Sequence, residues 1–310
     1  MTIRENSEDK IKDDGKKVIE STKKLSELIN LAIASAKIKN LILQEKNSNI
    51  SIRPQINILI HGSIGSTKST MLKEISKKIG CPLPVTDMTF PALVGSIDKQ
   101  TRMIIPAMCW ECKNTLMLMD EFSMDNSTTG NAILQLAEGG EYSRKISMFS
   151  MPKEEINEDL FFKTKDGTIS VKTRFSLIFA TMRNVEYTQS KLLKALISRC
   201  LVIPYYPTIK ELKEISDGKP SFYYKEIKIK EDNVFIKRKD YEKIRNFVDS
   251  KNIGMDNYLR TIGDCCRVYA ITHKHDTKLY ELICSLKNIV YKNYIPKHDK
   301  EVKQGEKYDN

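Results

Sequence analysis

Residues Gly62, Ser63, Ile64, Gly65, Ser66, Thr67, Lys68 and Ser69 form a glycine- and hydroxyl-rich run that ends in a lysine and a serine. The pattern G-x-x-x-x-G-K-[ST] holds phosphate for a mechanical reason. Backbone N–H groups of a tight turn cradle the oxygens, the lysine reaches the outer phosphates, and the hydroxyl after it ligates Mg²⁺. Gly62, Gly65, Lys68 and Ser69 fit, and Thr67 replaces the last glycine. The ligand such a loop suits is a nucleoside triphosphate with its metal, and with the acidic pair below the expectation is ATP with Mg²⁺. A second pair of groups follows at Asp120 and Glu121, behind the apolar run Leu116-Met117-Leu118-Met119. The first carboxylate of such a pair holds Mg²⁺ and its waters, and the second can orient and deprotonate an attacking water. An acidic pair after an apolar run is common, so its weight comes from following a phosphate loop.

The elements that must position these groups are readable from pattern. Ile56-Asn57-Ile58-Leu59-Ile60 precedes the loop as a strand, and Leu72, Ile75 and Ile79 follow it at helical spacing with Gly80 as the stop. Apolar runs place strands at 56–61, 116–120, 175–181 and 200–206, alternating with helices. That alternation argues for an α/β class with a parallel sheet over residues 51–207. In open sheets of this kind ligands bind at the C-terminal edges of strands, where Asp120 and Glu121 fall. Before it, residues 1–50 read as an N-terminal helical segment, since Leu25, Leu28, Ile29 and Ala32 recur at helical spacing, as do Leu31, Ala34, Ile38 and Leu41. After it, residues 208–296 read as a helical subdomain with helices at 240–250, 255–273 and 278–291. The polar stretch 297–310 reads as a disordered tail. Residues 142–174 depart from the alternation and read as an inserted β-hairpin around Lys165-Asp166-Gly167.

Composition narrows the remainder. A chain of 310 residues with 40% hydrophobic content can bury one large domain or a core with a satellite. No apolar stretch approaches the length of a membrane span, and the N-terminus is charged, which gives the expectation of a cytoplasmic protein without a membrane partner. Seven scattered cysteines do not form a disulfide framework, and Cys109-Trp110-Glu111-Cys112 lacks the second ligand pair of a zinc site. The net charge of +11 permits a polyanionic partner without requiring one.

The ordered motifs resemble an AAA+ ATPase and, more narrowly, the motor domain of the minichromosome-maintenance (MCM) helicases. "RPQINILIHGSIGSTKS" at 53–69 is similar to that family's strand and phosphate loop, which carries a small residue before the lysine, as Thr67 does here. "MDEFSMDN" at 119–126 resembles its Asp-Glu-Phe segment, and "ILQLAEGGEYSRKIS" at 133–147 the helix and strand after it. "KALISRC" at 194–200 resembles Ala-Leu-Leu-Ser-Arg-Phe. The resemblance implies an AAA+ P-loop core with an inserted hairpin and a C-terminal helical lid. It makes Arg199 the arginine finger, reaching the nucleotide of a neighbouring subunit, and Arg260, with Arg267 on the same helical face, the sensor 2 group. Sensor 1 falls in "FATMRN", on Asn184 by a one-residue slip or on Thr181 at the strand end.

The family's hairpin faces a central pore, which implies that Lys163, Lys165 and Lys172 contact nucleic acid there. The expected function is an ATP-hydrolysing ring, most simply a homo-hexamer, that moves on DNA. Only about fifty residues precede the motor, so the family's N-terminal DNA-binding region is not expected. A remodeller of the MoxR/magnesium-chelatase branch, acting on a protein partner, stands as the alternative; its signature is a full glycine before the lysine, absent here.

Overall fold

The computed structural model describes residues 21–44, 49–86, 88–98, 100–101, 104–105, 107–121, 127–145, 162–165, 168–172, 174–182, 190–230 and 232–292. The first third of the chain gives α1 (Thr22–Ser35), β1 (Asn40–Gln44), β2 (Asn49–Ile52), β3 (Ile58–His61), α2 (Lys68–Ile79), α3 (Phe90–Val94) and β4 (Ser96–Ile97). The middle gives β5 (Ile104–Ile105), α4 (Met108–Glu111), β6 (Leu116–Met119), α5 (Ser127–Gly139), β7 (Glu141–Lys145), β8 (Phe162–Lys165), β9 (Thr168–Lys172) and β10 (Ser176–Thr181). The last third gives α6 (Lys191–Ile197), β11 (Leu201–Pro204), α7 (Ile209–Ser216), β12 (Asn233–Lys237), α8 (Arg238–Asp249), α9 (Met255–Thr272) and α10 (Thr277–Lys292).

Four strands form a parallel sheet in the order β11-β3-β10-β6. Val85 adds a parallel bridge outside β6, donating to Leu118 O at 3.1 Å and accepting from Asp120 N at 2.9 Å. Every residue of these strands is buried, as a parallel sheet covered on both faces requires. Side-chain alternation divides each strand between two layers. Ile58, Ile60, Ile178, Ala180, Leu201 and Ile203 pack with α1, α2, α9 and α10. Leu59, Met117, Met119, Leu177, Phe179 and Val202 pack with α3, α5 and α6. The helices on the two faces therefore clamp the strands whose ends carry the site.

Two expectations need correction. The 1–50 segment is not helical throughout: after α1 it turns into β1 and β2. Leu31, Ala34, Ile38 and Leu41 do recur at helical spacing, but Leu41 and Leu43 alternate with half-exposed or exposed neighbours, which is strand periodicity. The 208–296 region is likewise not all helical. Its β12 pairs in parallel with β1, so Leu41 meets Val234 and Leu43 meets Ile236, while β2 covers β1's other edge. The first and last thirds of the chain thus share one three-stranded sheet. The inserted hairpin is present as β8 and β9, with Lys165 opposite Thr168, but β7 pairs with β9 and makes it a three-stranded antiparallel sheet. The tail at 297–310 lies outside the described residues. Among those described, no helix is long and apolar enough to cross a membrane.

Candidate functional site

The loop between β3 and α2 is shaped by close approach and by handedness. A Cβ on Gly62 would lie 2.2 Å from the backbone oxygen of Tyr205, so only glycine lets the strand exits of β3 and β11 come together. Gly65 at φ 78° and Thr67 at φ 62° sit in the left-handed region. For Gly65 that is without penalty; for the β-branched Thr67 it is strained. The turn delivers the chain into α2 at Lys68. Its first-turn N–H groups have no acceptors within the helix, and they face an anion favourably through the helix dipole. Met71, Leu72 and Ile75 bury the other side of α2, and Gly80 closes it with a left-handed cap whose N–H reaches Ser76 O at 2.9 Å.

Lys68 is only 7% exposed. Its ammonium donates to Gly62 O at 2.9 Å, Ser63 O at 2.8 Å and Ser66 Oγ at 2.9 Å. Burial pulls its pKa below the ordinary lysine value, and Asp120 and Glu121 oppose that shift. The ammonium is thus held by neutral dipoles that a better acceptor can replace.

Asp120 and Glu121 emerge at the C-terminal end of β6. Asp120 Oδ1 accepts from Glu121 N at 3.1 Å, and Glu121 sits at φ 48°, a second left-handed non-glycine beside the site. The loop, α2's first turn, both carboxylates and the end of β10 enclose one cavity of about 300 Å³, with Lys68, Ser69, Asp120, Glu121 and Thr181 on its walls. Three separated stretches of sequence, 64–70, 120–121 and 180–182, converge there. The cradle around Gly62, the replaceable acceptors of Lys68 and the hydroxyl–carboxylate pair Ser69 and Asp120 fit a Mg²⁺-bound polyphosphate. Among the described residues no group of three or more His, Cys, Asp or Glu side chains could hold a metal. A Mg²⁺ that keeps phosphate oxygens and waters as ligands needs no such cluster.

The other expected residues fall elsewhere. Asn184 lies outside the described residues, whereas Thr181 ends β10 inside the cavity wall. Lys163 and Lys165 are positions on β8 and Lys172 on β9; their side chains fall outside what is described. Arg199 and Arg260 do not line the cavity. Arg199 donates through Nε to Glu138 at 3.0 Å, pairs with the same oxygen through Nη2, and donates through Nη1 to Ala195 O at 2.7 Å. Arg260 Nη2 lies 4.0 Å from Glu138's other oxygen. Arg267 is tied to Asp264 at 2.5 Å and donates to Arg53 O at 2.8 Å. Cys109 and Cys112 are buried free thiols, pushed above the usual thiol range by burial.

Sequence reasoning missed Glu138, Lys287 and Asp264. A single acidic or basic residue on a helix has no spacing that distinguishes it from a solvated one, so no signal pointed to them. No family model matches the chain, and no curated protein matches it.

Proposed function

We propose that this chain is an MCM-like AAA+ motor that hydrolyses ATP with Mg²⁺ and works as a ring of identical subunits on DNA. The observation that carries the reading is the single cavity joining Lys68 and Ser69 to Asp120 and Glu121. The strand order adds support: β10 lies between the phosphate-loop strand β3 and the acidic strand β6. A polar group at its end is therefore within reach of both a terminal phosphate and the carboxylates.

In this reading Lys68 exchanges its two loop carbonyls and the Ser66 hydroxyl for oxygens of the outer phosphates. Ser69 and Asp120 would hold Mg²⁺, which when bound neutralises charge across the phosphates. Glu121 accepts a proton from the water that attacks the γ-phosphorus as the bond to the bridging oxygen breaks, leaving ADP and phosphate. Arg199, outside its own subunit's cavity, supplies positive charge to the nucleotide of the next.

Steady-state ATPase assays test the assignment. Glu121→Gln should keep nucleotide binding and lose about 10²–10⁴-fold in turnover, while Lys68→Ala should lose both. Normal turnover in Glu121→Gln would remove the role. The DNA part rests on the resemblance of the insert and is tested apart, by titrating single-stranded DNA across salt. Each lysine-to-phosphate contact should add about 0.7 to the log–log salt slope. Lys163→Ala with Lys165→Ala should flatten that slope and leave DNA-free ATPase intact. Wild-type protein without measurable DNA affinity would move the reading to a protein remodeller and leave the ATPase standing.

A further inference from the structure

Arg199, Glu138 and Arg260 come from three different elements: the turn after α6, the end of α5, and α9. Their meeting point is anchored from behind. Ala137, the residue before Glu138, offers its carbonyl to the Arg53 guanidinium and, at 3.0 Å, to Asn57 Nδ2. Cys200, the residue after Arg199, offers its carbonyl to Lys287 Nζ at 3.0 Å. Lys287 is in turn 3.0 Å from Asp264, which also holds Arg267, and Arg267 donates to the Arg53 carbonyl. The backbones on either side of the Glu138–Arg199 pair are therefore fixed by one buried polar network reaching α9 and α10.

An exposed ion pair between two freely moving side chains is worth little, because ordering both offsets the attraction. Here Glu138 is 59% exposed, but the backbone on both sides is ordered already and Arg199 is only 19% exposed. A guanidinium has five N–H donors. Three of Arg199's are used, two on Glu138 and one on Ala195 O. One N–H on each terminal nitrogen is left without an acceptor among the described residues. Glu138's second oxygen faces Arg260 at 4.0 Å. One carboxylate set against two guanidiniums leaves net positive charge with open donors, which suits a phosphate.

We propose that Glu138 is a positioning residue that couples Arg199 to Arg260, presenting the two guanidiniums as one fork to the terminal phosphate of a nucleotide bound by a second copy of this chain. This rests on the ATPase reading and adds to it a residue that touches no nucleotide.

The experiment compares full-length wild type, Glu138→Ala, Glu138→Gln, Arg199→Ala and Lys68→Ala. The readouts are ATPase against ATP concentration, affinity for a fluorescent ATP analogue, and thermal melting. Glu138→Ala should lower kcat tenfold or more, the scale of a misplaced catalytic group, with KM, analogue affinity and melting temperature unchanged. Glu138→Gln, which keeps an acceptor oxygen without the charge, should fall between. Mixed with Lys68→Ala protomers, Glu138→Ala protomers should regain activity as Arg199→Ala protomers do, because both defects lie on the same face. A kcat for Glu138→Ala equal to or above wild type overturns the proposal, and so does a loss that appears in analogue affinity or melting instead of kcat. If wild type itself shows no Lys68-dependent turnover, the ATPase reading and this proposal fall together; wild-type turnover unaffected by Glu138→Ala removes this proposal alone.

Discussion

Lys68 and Lys287 are both buried lysines, 7% and 4% exposed, and they are partnered in opposite ways. Lys68 has two backbone carbonyls and a hydroxyl, and its nearest carboxylates act on it across a cavity. Lys287 has Asp264 at 3.0 Å, a residue itself buried and shared with Arg267. Neutral dipoles hold a cation loosely enough for a phosphate to displace them, whereas a buried carboxylate binds it for the life of the fold. The cavity keeps its charges available, and the α9–α10 network has spent its own on holding two layers together.

Removing one member from each site should expose that contrast. Asp264→Ala strands the buried Lys287 and the half-buried Arg267, and loss of one partner of a buried pair costs about 3–5 kcal/mol. Lys68→Met strands only hydrogen-bond acceptors at the edge of the cavity, which should cost about 1 kcal/mol. Denaturant midpoints of the two variants measure both. Equal losses would mean that the cavity lysine is a structural residue and the comparison is wrong.

Acid should divide the two regions in the same direction. Burial alone would raise the Asp264 pKa, but Lys287 and Arg267 outweigh it and hold the carboxyl below the usual carboxylate range. A group with a depressed folded pKa contributes stability above its unfolded value, near 4, and loses it as pH falls through the folded value. Wild-type stability should therefore drop below about pH 4, and Asp264→Asn should show a shallower drop from a lower starting point. A parallel pH profile in the variant would assign the acid sensitivity to other carboxylates.

The same contrast governs how much was legible beforehand. Strands read at 56–61, 116–120, 175–181 and 200–206 are found at 58–61, 116–119, 176–181 and 201–204, because burial on both faces writes itself as an unbroken apolar run. The helices α8, α9 and α10 were equally plain. The turn between β3 and α2 and the acidic end of β6 were placed by their flanking apolar runs, and the structure puts both on the wall of one cavity. By contrast, β1 and β12 were not. Asn40 and Asn233 are 193 positions apart, and neither five-residue strand announces a partner at that distance. Leu41 also continued a helical spacing by coincidence of composition. Glu138, Asp264 and Lys287 were hidden for a related reason: their meaning lies in three elements meeting, which no local pattern encodes.

The smallest expected effect lies in the loop itself. Thr67 and Glu121, both left-handed non-glycines, flank the cavity. A left-handed L-residue costs about 1–2 kcal/mol, and Thr is among the worse ones because of its branched Cβ. Thr67→Gly removes that strain but adds unfolded-state freedom worth about 0.4–1 kcal/mol. The balance is a stabilisation of about 0.8 kcal/mol, or about 1 °C in Tm for a chain of this size. Backbone N–H groups, not the Thr67 side chain, would cradle phosphate, so nucleotide affinity should stay within about threefold. Thermal melting with and without an ATP analogue measures both quantities. If Thr67→Gly lowers Tm, the threonine side chain contributes more to packing than its backbone loses to strain. The loop would then belong with the rigid network around Lys287 and not with the exchangeable site around Lys68.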